Sequence, residues 1–543
     1  MITQARRAGP AERLPPGWVI TAVCAVAYLI AAPPSADLAA ASYRSNLFSR
    51  VGFTLWDNSW YGGHHLPAYS LLSPALGALL GTHLLAALSV TAATALFGAL
   101  LAGQFPRPVA RAGEAWFAAG VSVALLSNRV PFDLGLAVGI GALLCARRRH
   151  MWPAAALCVL SAVASPVDGA FLALAFLVWA LTAQRRAWAL ALAVCALAPI
   201  GLLALVFPEG GAQPFVASAF YPALAGVLAI ALLIPPEQRT LRAGALLYAA
   251  ALTGSFVAHT AVGGNADRLG ALMGAPVTAL MLLGGSSIGR RPRLLLALSP
   301  LLFYWQANAP LADFSAAISG PASGASYYAP LLGELRALGV GYAARPARIE
   351  VVPVVDHFEA RWVAPHVMLA RGWERQLDIY RDGLFYRKAT PLSAATYRAW
   401  LSEQAVSYVA LPDASLDYSA REEARLLRGR QAGGDGRPPG YLREIWHSAH
   451  WRLFAVSDPR PLLEGPALLA SVGTDSFTLR ASAPGSSIVR VHFTSYWKLA
   501  GGNGCVSRAP GDWTRVQARA AGTLHVVIGF SLARIFEHGP RCT

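Results

Sequence analysis

A chain of 543 residues in which 55% are hydrophobic and only 14% charged lacks the charged side chains that a soluble surface of that size needs, so a water-soluble globular protein is excluded. The formal net charge of +16 does not point to nucleic acid. In the first half of the chain the arginines fall in short clusters between apolar runs, as cytoplasmic loop charge does in a membrane protein.

The first apolar run, residues 18–32, follows Arg6, Arg7 and Arg13 and leads into Pro33 and Pro34 without a small-x-small cleavage sequence. It reads as a retained signal anchor with residues 1–17 in the cytoplasm, and it delivers a first outer loop, residues 33–67, to the other side. The cytoplasmic side is then marked by Arg107 and Arg111, by Arg147, Arg148 and Arg149, by Arg185 and Arg186, by Arg239 and Arg242, and by Arg290, Arg291 and Arg293. The intervening outer turns, residues 127–133, 165–169, 208–215 and 263–268, carry only Arg129 and Arg268. The pattern predicts a polytopic α-helical membrane protein, with about eleven transmembrane helices in residues 18–308 and the C-terminal region outside the cytoplasm.

Two out-and-back stretches, residues 115–146 and 151–181, are short: about 15 residues per arm rise roughly 23 Å against a hydrocarbon core of about 30 Å. Their outer turns are expected below the surface, where irregular backbone is tolerated only if covered by protein or lining a wet cavity. The expectation is a polar cavity opening outward, floored by Asn128, Arg129, Asp133 and Asp168; the alternative is tilted or re-entrant stretches with these side chains at the interface.

The first outer loop holds the densest polar and aromatic cluster, with Trp56, Asp57, Asn58, Trp60, Tyr61, His64 and His65 within ten residues. A carboxylate there, beside sugar-stacking aromatics, can take a proton from an acceptor hydroxyl. Asp57 can equally cap a helix or pair with Arg44 or Arg50. Adjacent histidines do not suit one metal ion, and no HxxxH or HExxH spacing is present, so no metal ligand is assigned and a divalent cofactor stays open. Arg268 breaks the inside bias and, like Arg129, suits the phosphate of a lipid carrier, through two parallel hydrogen bonds, or else a neighbouring carboxylate.

Beyond the last span the sequence becomes mixed. Residues 309–460 read as an extracytoplasmic α/β domain, with a strand over 348–355, helices over 372–386 and 393–404, and a strand over 407–411. Gly- and Pro-rich residues 433–440 form an insertion. Residues 461–543 alternate as short strands, including 476–481, 487–493 and 523–530, which fits a β-sandwich-like domain. The spacing of Arg371, Glu374, Arg375 and Asp378 is that of a solvated helix with ion pairs along one face. Trp497, Trp513 and Tyr496 are core aromatics or a carbohydrate-stacking patch. Cys505 and Cys542, the only cysteines of this region, can pair in an oxidising compartment. There is no Walker loop, nucleophile elbow or Rossmann fingerprint.

With its long first outer loop carrying Asp57, its run of apolar spans and its large outer C-terminal domain, the chain resembles the GT-C superfamily of polytopic membrane glycosyltransferases, in particular the bacterial cell-envelope members that use polyprenyl-phosphate-linked sugars. The resemblance implies that Asp57 deprotonates the acceptor hydroxyl and that Arg268 or Arg129 stabilises the departing lipid phosphate, while Trp56, Asn58, Trp60, Tyr61, His64 and His65 of the loop and Asp168 of the cavity floor are the expected substrate contacts. The implied partners are membrane lipid, a polyprenyl-phosphate sugar donor and a glycan or glycoprotein acceptor, with no nucleic acid. Asp57 is followed by Asn58, whereas many such enzymes carry a paired acidic motif. A transporter or flippase of a lipid-linked or anionic substrate, and a non-catalytic envelope assembly protein, are the alternative classes.

Overall fold

The computed structural model describes residues 14–182, 185–284, 291–318, 320–343, 345–387, 392–430, 436–535 and 542. Arg6, Arg7, Arg13 and Arg290 of the charge pattern, and residues 433–435 of the insertion, lie outside the described residues. The chain forms two compact units: Met1–Ser45, Tyr69–Ala204 and Ala212–Ile318 make the first, and Asn46–Ala68, Leu205–Gly211 and Ser319–Thr543 make the second.

The first unit is helical. Helix α1, Gly17–Ala31, is apolar and stops at Ala32, whose backbone turns left-handed at φ 42°. After a bend of 78° the chain enters α2, Ala36–Val51, which opens on Asp37. A carboxylate in a first helical turn is favoured by the helix dipole. The loop expected over residues 33–67 therefore begins as a helix. Next come α3 (Ser73–Leu80), α4 (Thr82–Leu101), α5 (Arg107–Ala124), α6 (Val130–Arg147), α7 (Met151–Ala164), α8 (Pro166–Thr182), α9 (Arg186–Val206), α10 (Ala217–Leu233), α11 (Arg239–Val257), α12 (Asp267–Leu283) and α13 (Pro292–Ile318).

Seven of these stretches, based on α4, α5, α6, α9, α11, α12 and α13, are long and apolar enough to cross a bilayer, and the bent α1–α2 pair makes an eighth if taken as one span. The apolar helices α7, α8 and α10 are shorter. This is a multi-pass α-helical membrane protein. The stretch expected to be cramped over residues 115–146 is not, because α5 starts at Arg107 and both α5 and α6 have 18 residues. The shortness resides in α7, with 14 residues. Packing relies on small residues: a Cβ at Gly169 of α8 would stand 2.7 Å from Ala162 of α7, the close approach that small side chains permit between membrane helices. Phe97 of α4 stacks on Phe117 of α5 at 4.3 Å within a buried Ala, Val and Leu cluster.

The second unit begins with a two-stranded hairpin, β1 (Trp56–Asp57) against β2 (His64–His65). Gly63 closes its turn at φ 112°, where a Cβ would stand 2.4 Å from the Trp56 ring. An α/β part follows. Strand β3 (Arg348–Val351) runs parallel to β4 (Met368–Leu369) and β5 (Val406–Pro412), and β6 (Leu442–His447) and β7 (Trp451–Val456) extend the sheet antiparallel in the order β4-β3-β5-β7-β6. Its helices are α14 (Ala325–Ala337), α15 (Glu359–Trp362), α16 (Arg375–Arg381), α17 (Ala394–Glu403) and α18 (Arg421–Leu427). Ser393 starts α17 with a capping box shared with Thr396, which satisfies two backbone donors reciprocally.

The β-sandwich has two four-stranded sheets. One comprises β9 (Ala467–Val472), β10 (Ser476–Ala481), β12 (Trp497–Gly501) and β15 (Gly522–Ile528), in the order β12-β15-β10-β9. The other comprises β8 (Leu463–Glu464), β11 (Gly485–His492), β13 (Gly504–Arg508) and β14 (Trp513–Ala518), in the order β13-β14-β11-β8. Phe477, Leu479, Val489, Val516, Leu524 and Val526 fill the space between them, the alternating inward positions of both sheets. Trp497, Trp513 and Tyr496 are buried, so they serve the interior and not a stacking patch.

The charged segment around Arg371 differs from the solvated helix expected. Arg371 is buried and pairs with Glu350 of β3 at 2.7 Å and Glu423 of α18 at 2.6 Å, and Arg375 pairs with Asp417 at 2.7 Å. The partners come from distant strands and helices, not from the next helical turn, because the sheet places them under this segment. The sulfurs of Cys505 and Cys542 are 2.06 Å apart, tying β13 to Cys542.

Candidate active site

The polar end of the helical unit is organised by Asn128. It adopts a left-handed φ of 54° between a short 3-10 turn (Leu125–Ser127) and α6, a conformation that asparagine tolerates better than most residues. The buried Asn128 amide donates to the Pro33 carbonyl at 3.1 Å and accepts from the Tyr28 hydroxyl, while Ser35 donates to the Ser127 carbonyl at 2.8 Å. These bonds fix the bend between α1 and α2 against the start of α6.

The consequence is a charged cluster. Arg129 Nε donates to Asp37 Oδ2 at 3.3 Å and its terminal nitrogen donates to Asp313 of α13 at 3.2 Å. Ser127 donates to the same Asp313 oxygen at 2.6 Å. The Asp37 and Asp313 side chains are 34% and 39% exposed, so both can be reached from solvent. Arg268, in the first turn of α12, lies over the Phe132 ring at 5.3 Å and within electrostatic reach of Asp37, Arg129 and Asp168. Asp133 and Asp168, in the first turns of α6 and α8, are buried. Asp133 feels Arg129, Arg268 and Asp37, and Asp168 lies against the α6 backbone, where a Cβ at Gly135 would be 2.7 Å from its Oδ2.

Four helices, α2, α6, α8 and α12, therefore begin at this cluster, and helix N-termini favour anions through unpaired amides and dipoles. Two arginines with two solvent-reachable carboxylates can hold an oxyanion and accept a proton beside it. Of the residues expected here from sequence, Arg129, Asp133, Asp168 and Arg268 share this neighbourhood. Among the described residues no three His, Cys, Asp or Glu side chains are grouped to hold a metal ion.

The first outer loop residues belong to the second unit. Asp57 is 0% exposed, and its Oδ1 accepts from the Ser59 amide at 2.9 Å. Trp56 donates to Asn58 at 2.7 Å, and Asn58 donates to the Gly473 carbonyl at 2.9 Å. His64 stacks on Trp60 at 5.5 Å, and the Tyr61 hydroxyl accepts from the Glu374 amide at 3.0 Å. His65 pairs with Glu209 at 2.6 Å. All seven side chains are buried.

Sequence reasoning passed over Asp37 and Asp313. Asp37 has a readable signal, a carboxylate opening an alanine-rich helical stretch immediately after the first span. Asp313 lies near the end of α13, which runs to Ile318, ten residues past residue 308, where the transmembrane region was expected to end.

No family model matches the sequence, and no curated protein does. Among solved structures the chain is similar to the arabinofuranosyltransferase AftD from Mycobacteria, in two classes of one mutant. The first has a TM-score of 0.42 and 17% identity over 82% of this chain and 42% of that one, and the second a TM-score of 0.39 and 17% identity over 83% and 42%. It is also similar to the archaeal oligosaccharyltransferase AglB from Archaeoglobus fulgidus, solved with an inhibitory peptide and a dolichol-phosphate, at a TM-score of 0.35 and 13% identity over 73% of this chain and 69% of that one. The chain spans about two-fifths of the length of the arabinofuranosyltransferase.

Proposed function

We propose that this protein is a membrane glycosyltransferase that moves a sugar from a polyprenyl-phosphate carrier to a glycan or glycoprotein acceptor on the non-cytoplasmic face of the plasma (inner) membrane, with its N-terminus in the cytoplasm and its second unit outside. The observation that carries the reading is the Asp37–Arg129–Asp313 arrangement, with Arg268 beside it, at the polar end of a helical bundle.

In this mechanism Arg129 and Arg268 hold the phosphate of the donor. Asp37 takes the proton of the acceptor hydroxyl as its oxygen bonds to the anomeric carbon. The bond from that carbon to the phosphate oxygen breaks, and the lipid phosphate leaves with the electron pair, its charge matched by the two guanidinium groups. Asp37, not Asp57, is the base in this reading, because an acceptor must reach the carboxylate. Asp37 is 34% exposed, whereas Asp57 is 0% exposed and engaged by the Ser59 amide. Before the donor binds, Asp37 is paired with Arg129; a phosphate on Arg129 competes for that guanidinium and frees the carboxylate to act as a base.

The test uses the purified full chain with radiolabelled polyprenyl-phosphate sugars and an envelope glycan acceptor. Asp37→Asn is expected to lower transfer by roughly 10²- to 10⁴-fold, the usual range for a general base, with thermal stability unchanged. Wild-type transfer by Asp37→Asn removes Asp37 from the mechanism, and label that is never transferred by the wild-type protein removes the glycosyltransferase reading.

A further inference from the structure

The second unit carries an open cavity of about 1000 Å³ that no residue of the charged cluster lines. That volume is at the upper end of the roughly 300–1,000 Å³ typical of ligand sites, so it has room for more than one sugar ring. Its lining comes from several parts of this unit: Trp56 and His65 of the hairpin, residues 205–210, the end of α16 at Tyr380 and Arg381, residues 492–496 after β11, and the outer face of the β13–β14 pair.

Part of the lining is locked. His65 pairs with Glu209 at 2.6 Å and exchanges a hydrogen bond with Thr494 at 2.9 Å, and Arg381 pairs with Glu209 at 3.1 Å while donating to the Tyr61 and Gly63 carbonyls. Burial pushes the Glu209 carboxyl up, but His65 and Arg381 outweigh it and hold the group down at about 2. The network is a rigid charged wall. Ser507 of β13 also lines the cavity, beside Arg515 of β14, and Gln517 follows two residues on, on the same face of the strand. Arg515 has no ion-pair partner among the described residues, and Gln517 is exposed. His492 also lines the cavity, with Nε2 buried and without a hydrogen-bond partner among the described residues. Burial, then Arg381, pull its imidazole down to about 4, which leaves it neutral.

A guanidinium, an amide, a hydroxyl and a neutral imidazole offer donors and acceptors along the lining, and the half-buried Phe493 adds an aromatic face. Hydroxyl-rich rings with apolar faces match such a surface, since their hydroxyls pair with planar polar groups and their C–H faces stack on aromatics. We infer that this cavity binds an oligosaccharide of several rings, as a site separate from the charged cluster of the helical unit.

The test is calorimetric titration of the full detergent-solubilised chain with a hexa-arabinofuranoside and with mannohexaose, against arabinose and mannose. At least one hexasaccharide is expected to bind at least 10-fold more tightly than its monosaccharide. Arg515→Ala and Gln517→Ala, both at solvent-facing positions, are each expected to weaken that binding at least 5-fold with the melting temperature unchanged. Asp37→Asn is the control: it is expected to bind the hexasaccharide like the wild type, so a failure of the transfer reading and a failure of this one give different results. Failure of both hexasaccharides to bind at millimolar concentration, or binding indifferent to both substitutions, overturns the inference.

Discussion

Arg129 Nε lies 3.3 Å from Asp37 Oδ2, joining the start of α6 to the start of α2 across 92 residues of sequence. The same guanidinium reaches Asp313 with another nitrogen. This geometry depends on a planar group with donors on two edges, which an ammonium does not reproduce. Arg129→Lys keeps the charge but loses the second contact, so kcat/KM for transfer is expected to fall roughly 10²-fold, and Arg129→Ala further. Steady-state kinetics with the lipid-phosphate donor varied checks this, and a Lys variant at wild-type efficiency would show that only charge is needed.

Asn128 holds that arginine in place. Replacing it with alanine puts a Cβ residue without amide bonds into a left-handed conformation, for about 1–2 kcal/mol of backbone cost, and leaves the Tyr28 hydroxyl and the Pro33 carbonyl without their partner, for about 1–3 kcal/mol more. Asn128→Gly relieves the first effect and not the second. Thermal unfolding in detergent is therefore expected to rank wild type above Gly above Ala. Equal stability of the Gly and Ala variants would mean that backbone conformation contributes nothing here.

The sequence made the helical unit legible because arginine clusters punctuate its apolar runs, and the sandwich strands legible because side chains alternate between interior and solvent. Residues 476–481 were expected as a strand and form β10. Two other features were hidden. Asp37 sits in a stretch whose polar residues read as loop, although its alanines are good helix formers. The spacing of Arg371, Glu374, Arg375 and Asp378 suits one helix face, but the helix begins only at Arg375, so Arg371 lies in the buried segment before it. What decides is whether carboxylates arrive from elsewhere, and Glu350 and Glu423 do, from 21 residues before and 52 residues after Arg371.

That burial makes Arg371 sensitive to substitution. Arg371→Met leaves Glu350 and Glu423 enclosed without their cation, and breaking a buried pair in this way destabilises by about 3–5 kcal/mol. The triple variant Arg371→Met, Glu350→Gln, Glu423→Gln removes all three charges and is expected to recover most of the loss. Chemical denaturation followed by tryptophan fluorescence measures both. A single variant as stable as the wild type would mean that water reaches the two carboxylates.

Cys505 and Cys542 close a loop with a sequence separation of 37. Loop-closure entropy for that length is about 4 kcal/mol in favour of the bonded form. Reduction is expected to lower the melting temperature of the second unit, and Cys505→Ser with Cys542→Ser to reproduce the shift without further response to reductant. Mass spectrometry after alkylation of the unfolded, unreduced protein checks the bond directly: both cysteines carrying label would show that they are free.

His357 is buried between Glu359, 3.1 Å from Nδ1, and Asp417, 3.4 Å from Nε2, with its ring stacked on Trp373 at 3.6 Å. Burial alone lowers an imidazole, but the two carboxylates outweigh it and raise His357 to about 9. Asp417 is driven well below its usual value, since His357 and Arg375 more than offset its burial. For His357 the folded form holds a proton that the unfolded chain releases near pH 6.5. Its contribution is therefore complete below about pH 6.5 and is lost as pH rises through about 9, with a slope of up to about 1.4 kcal/mol per pH unit. Asp417 acts at the other end: its contribution is present above the ordinary carboxylate range and is lost as the medium turns acid. His357→Gln removes the alkaline slope, so the stability difference between wild type and variant is expected to shrink between pH 6.5 and 9 and to stay level from pH 5 to 6.5. Denaturation curves across that range decide it. A difference that does not change with pH would mean that His357 is neutral in the folded protein and that Asp417 is held by Arg375 alone.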